Sequence, residues 1–127
     1  MGDTRFVVSV RQELDCVCDA ASRKHRVPTE IIDRAARATF EAMTRCPSRS
    51  GEAVRLRTRR YFWAVVRREA SRTGSRDVSA RFVLKAVIDD LTASGRDPRA
   101  VWEQIDRDWA RVFPLDVLED YRRQLCA

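Results

Sequence analysis

Four glycines and four prolines are all that this 127-residue chain contains. They fall between stretches whose apolar residues recur every three or four positions, the spacing that lines one side of an α-helix. Glycine and proline punctuate helices here and do not interrupt them. Helix is therefore the expected state of almost every segment between them.

The first such segment runs from about Thr4 to Lys24 and sets Phe6, Val10, Leu14, Val17, Cys18 and Ala21 on one face. Its opening, "FVVSV", is also rich enough in β-branched residues to make a short strand. Pro28 and Thr29 start a second helix with Ile31, Ile32, Ala35, Thr39, Ala42 and Met43 along one side. "CPSRSG" (46–51) is a loop, and a third helix begins near Glu52 and ends at Thr73-Gly74. Asp77 or Ser79 caps a fourth, from about Val78 to Ala93. Its apolar residues Phe82, Val83, Leu84, Ala86, Val87, Ile88 and Leu91 cover most of its circumference, which marks it as a buried element. Only Arg81, Lys85 and Asp89 form a polar stripe on it, with the last two placed to pair.

"SGRDPRA" (94–100) contains a stop and a start: Gly95 after one helix, then Asp97 as N-cap and Pro98 as the first residue of the next. The fifth helix aligns Val101, Trp102, Ile105, Trp109, Val112 and Phe113. Pro114 either breaks it or opens a sixth with Leu115, Leu118, Tyr121 and Leu125 inward. The expected fold is all-α, a compact bundle of five to six helices, and the length suits one domain over residues 1–127.

Several classes of function fit poorly. The longest apolar runs, such as Phe62 to Val66, fall far short of the ~20 residues of a membrane span. The first residues lack a basic stretch followed by a long apolar one, so a cytoplasmic location is expected. Cys16, Cys18, Cys46 and Cys126 form no C-x-x-C pair, and His25 is the only histidine, so no metal site and no cofactor are expected. Free thiols are expected instead, with Cys18 buried as a small apolar group; a Cys46–Cys126 bridge is the alternative. His25 stands at a basic helix end before a proline, where solvent and the helix dipole account for it. Asp89-Asp90 and the Asp106/Asp108 pair point to different helix sides, and no glycine-rich phosphate loop is present. A non-catalytic protein is the expectation.

Charge is the positive signal. Of 25 basic residues only Lys24 and Lys85 are lysine, a skew that fits a GC-rich bacterial genome and discounts arginine content as such. Placement tells more. Residues 45–76 hold ten arginines against Glu52 and Glu69, whereas residues 86–127 hold six against nine acids. At about 100° per residue, Val54, Tyr61, Phe62, Val65 and Val66 share one side of the third helix, while Arg57, Arg60, Arg67 and Arg68 share the other with Ala64 and Ser71. Trp63 and Leu56 lie at the border of the arginine face, and Arg55 and Arg59 lie near the apolar edge, placed either to snorkel or to pair with an acid of another helix.

Guanidinium groups fork onto phosphate oxygens, so this face is a candidate grip on DNA or RNA. Arg57, Arg60, Arg67 and Arg68 would hold phosphates, Trp63 would stack on a base, and Arg49 and Arg76 on the flanking loops would widen the patch. Two windows also resemble a generic helix-turn-helix. In residues 20–36, Val27 plugs the turn and Ile32 the second helix, but Arg26 stands where glycine is usual. In residues 68–83, Ala70 and Gly74 have the customary spacing. The alternative reading is an interaction module, in which the basic middle meets the acidic last third between subunits of a homo-oligomer or docks an acidic protein partner. Trp102 and Trp109, seven apart on one helix side, would then be core anchors or interface groups.

Overall fold

The computed structural model describes residues 4–45, 51–73, 80–93 and 95–126, the side chains of 4 and 51–53 excepted. The fold is all-α. Six helices stand among the described residues: α1 Thr4–Arg23, α2 Thr29–Arg45, α3 Gly51–Thr73, α4 Ala80–Thr92, α5 Pro98–Trp109 and α6 Leu115–Leu125. "FVVSV" is helical, since its alternation continues into a helical repeat that buries one face. The chain divides into two compact units, Met1–Arg76 and Asp77–Ala127, of three helices each.

In the first unit each helix packs on the other two. Phe6, Val10, Leu14, Val17 and Ala21 are the inward side of α1, at steps of three and four residues. Opposite them lie Ile31, Ile32, Ala35, Thr39 and Met43 of α2. The guanidinium of Arg11 on α1 rests over the Phe40 ring of α2 at 5.2 Å, one cation–π contact across that seam. Between the two helices Arg26 adopts φ +52°, the left-handed region in which glycine is favoured. Val27 is buried beneath it, and its N–H donates to the Ala21 carbonyl at 2.9 Å.

The third helix buries the most. Val54, Thr58, Phe62, Trp63, Val65, Val66, Glu69 and Ala70 are all inside, and on a helical wheel they span about 180°, against the ~140° that its apolar residues alone mark out. A helix seated between two neighbours loses more of its circumference to packing than one lying on a flat surface. Polar residues inside that arc need partners: Thr58 Oγ1 donates to the Val54 carbonyl at 2.6 Å, one turn back.

In the second unit α4 is wrapped as its composition requires, with Val83, Leu84, Ala86, Val87, Ile88 and Leu91 buried. The next start is as read: Gly95 has φ +81°, and the Asp97 side chain accepts from the Arg99 N–H at 3.3 Å with Pro98 in the first turn. The helix α5 stops at Trp109, so Val112 and Phe113 belong to the following turn, where Phe113 is buried and Val112 is exposed. Trp109 is buried and Trp102 only half-buried. Pro114 opens α6, and there the expected inward set shifts. Leu115, the first helical residue, is 75% exposed, and Val117 is buried in its place beside Leu118. Tyr121, half-buried, donates from its hydroxyl to the Arg81 carbonyl at 3.2 Å, and Arg81 pairs with Asp120 at 2.6 Å.

Two substitutions check this packing by urea denaturation of the whole chain. Trp63→Ala is expected to cost about 3–5 kcal/mol, as for a large aromatic removed from a core, and a cost below about 1 kcal/mol would put the ring at the surface. Asp97→Ala is expected to cost about 0.5–1 kcal/mol through loss of the cap on α5.

Candidate nucleic-acid interface

The solvent side of α3 follows from its buried arc. Leu56, Arg57, Arg60, Tyr61, Ala64, Arg67, Arg68 and Ser71 form one stripe, of which Tyr61, Arg68 and Ser71 are exposed and the rest half-buried, while Arg55 and Arg72 are exposed outside it. The four arginines expected to share a face do share it. Arg60 lies with its guanidinium 5.9 Å from the centre of the Tyr61 ring. Arg67 turns its Nε inward, where it has no hydrogen-bond partner, and Arg68 leaves 67% of its side chain in water. Arg49 and Arg76 lie outside the described residues.

Trp63 corrects the sequence reading. It is 1% exposed and not at a stacking position: its ring meets Phe62 edge-on at 5.2 Å and His25 edge-on at 5.6 Å. Packing on both neighbours extends the buried arc over the border where Trp63 sits. The same asymmetry puts Tyr61, expected inward, at the surface. Tyr61 is thus the aromatic beside the arginines, with one face already near the Arg60 cation.

Two ion pairs tie the helix to its neighbours. Arg59 Nε meets Glu13 Oε2 of α1 at 3.1 Å, with both side chains about three-quarters or more buried. Of the two outcomes its edge position left open, Arg59 takes the pairing, while Arg55 is exposed. Glu69 is 5% exposed and receives Arg34 Nη1 of α2 at 3.3 Å, with Arg68 and Arg72 of its own helix each at 3.9 Å. Glu69 and Arg34 were not among the expected site residues. The readable signal was a carboxylate in the middle of an apolar arc, which demands a cation from elsewhere.

The helix-turn-helix windows separate. Residues 20–36 form helix, tight turn and helix, with Arg26 in the backbone state usual for glycine and Val27 and Ile32 buried. Yet the exposed start of α2 carries Glu30 and Asp33, and carboxylates at the leading turn of a recognition helix oppose a phosphate backbone. In the second window the turn, 74–79, lies outside the described residues.

No group of three or more His, Cys, Asp or Glu side chains among the described residues is placed to hold a metal ion, and no described helix is long and apolar enough to cross a membrane. Cys16, Cys18 and Cys126 are free thiols, and Cys46 lies outside the described residues. Cys18 is half-buried, and burial first, then the nearby Asp15 and Asp33 charges, push its thiol up to about 11. In comparisons with protein families, with curated proteins and with solved structures, nothing matches the chain.

The thiolate is the reactive form, so raising a thiol pKa slows it at neutral pH. A disulfide reagent at pH 7.5 is expected to modify exposed Cys16 and Cys126 quickly and Cys18 slowly, with the Cys18 rate climbing as pH rises toward 11. Equal rates at all three, read by peptide mass spectrometry, would contradict the burial of Cys18.

Proposed function

We propose that this protein is a cytoplasmic, non-catalytic nucleic-acid-binding protein that grips the phosphate backbone with the arginine stripe of α3. Arg57, Arg60, Arg67 and Arg68 supply the charge. Ala64 and Ser71 between them keep the surface low enough for a backbone to approach. Tyr61, in place of Trp63, offers a ring face to an unpaired base.

The observation that carries this reading is where the charge sits. The unit Met1–Arg76 holds 17 basic against 9 acidic side chains, a net of +8, whereas Asp77–Ala127 holds 8 against 10, a net of −2. The chain's whole positive excess therefore belongs to one three-helix unit. Within it, α3 presents four arginines on a single stripe.

A random-sequence DNA or RNA oligonucleotide is expected to bind at ~50 mM salt and to weaken about a hundredfold by ~200 mM, the loss that roughly four phosphate contacts imply. Absence of binding to both at ~50 mM, by fluorescence anisotropy, would end the proposal. Arg57→Gln with Arg60→Gln should lower the slope of log K against log salt by about two, and Arg99→Gln, an exposed arginine of the second unit, should leave it alone.

A second reading keeps some support. Leu115, 75% exposed, and Val112, 37% exposed, are apolar groups on the acidic unit, as an interaction module that pairs with the basic unit of a second copy would need. Light scattering separates the two readings: a salt-sensitive dimer that ignores nucleic acid favours the second.

A further inference from the structure

We propose that Arg34, Arg68 and Arg72, gathered around the buried carboxylate of Glu69, form a site for one phosphate group at the edge between α2 and α3. The proposal rests on the nucleic-acid reading for its source of phosphate, and it adds a second helix to the interface.

Glu69 sits inside the packed arc of α3. A lone carboxylate there is costly, and one guanidinium would neutralise it. Three converge on it. Arg34 Nη1 reaches Oε2 at 3.3 Å, while Arg68 Nη2 and Arg72 Nη1 both approach Oε1 at 3.9 Å. One negative charge thus faces three positive ones, and two positive charges remain in excess.

Stability does not explain the surplus. The side chains of Arg34, Arg68 and Arg72 are 54%, 67% and 72% exposed, and ion pairs of such exposed cations contribute little to folding. Each guanidinium carries five N–H donors and turns one nitrogen toward Glu69, so donors remain on its solvent side. Arg68 Nη2 and Arg72 Nη1 each lie 3.9 Å from the same carboxylate oxygen, so the two guanidinium groups are neighbours and can turn their remaining donors toward one phosphate. Glu69 acts as a positioning residue: it collects three flexible cations and faces no phosphate itself.

Geometry continues the cluster into the α3 stripe through Arg68, which belongs to both. Through Arg34 it reaches α2.

The test uses the full chain and two probes. In NMR titrations with inorganic phosphate, against chloride at equal ionic strength, saturable shifts are expected at the Arg34, Arg68 and Arg72 side-chain N–H signals. They should vanish in the Arg34→Gln, Arg72→Gln double variant. With a random oligonucleotide the same variant should bind about 3- to 10-fold more weakly at ~100 mM salt and lose about one unit of salt slope. Phosphate shifts without oligonucleotide binding would keep the cluster, as a site for free phosphate, and remove the nucleic-acid reading. Oligonucleotide binding with an unchanged slope, and phosphate shifts no larger than those from chloride, would overturn the cluster and leave the α3 stripe standing.

Discussion

A helix wedged between two others can offer solvent only about half of its surface, and α3 is held in this way by α1 and α2. Everything distinctive about the basic unit follows from that constraint. The inward half takes Phe62, Trp63 and Val66 whole, together with Thr58 and Glu69, two polar groups that a less enclosed helix would leave in water. Four of the seven arginines of α3 fall on the outward half, while Arg59 is paired in the seam and Arg55 and Arg72 reach solvent from its edges.

The helices were legible because their punctuation is local. Gly95, Asp97 and Pro98 each act on their own backbone, and Pro114 opens α6 whatever surrounds it. Inward faces were legible where the buried residues keep to one apolar stripe, as for Phe6 to Ala21 on α1. They were less so on α3, where the buried arc is wider than the apolar one. Trp63 and Tyr61 exchange the roles that apolar periodicity assigns them, since periodicity locates the centre of a buried arc but not its width. Leu115 and Val117 differ for a related reason: at a helix start one residue decides which side faces the core, and the wheel gives no weight to ends. The Arg34–Glu69 contact spans 35 positions of sequence, and nothing local announces it.

Charge and packing are linked in the two units by opposite means. In the first, two carboxylates are drawn inward toward arginines of a neighbouring helix, Glu13 to Arg59 and Glu69 to Arg34. In the second, Arg81 reaches Asp120 at a surface where both side chains are about half in water. Each pair cancels one acid and one base wherever it forms, so the excess of the first unit is set by its 17 basic against 9 acidic side chains, and seam pairing decides only which acids are withdrawn from the surface.

The turn between α1 and α2 carries a cost that its surroundings offset. Arg26 holds a left-handed backbone that costs a residue with a side chain about 1 kcal/mol. Against that stand the backbone hydrogen bonds of the turn, His25 and Val27 donating to the Ala20 and Ala21 carbonyls, and the burial of Val27. Glycine at position 26 would adopt the same backbone without the side-chain penalty, so the turn is a place where the chain holds stability in reserve.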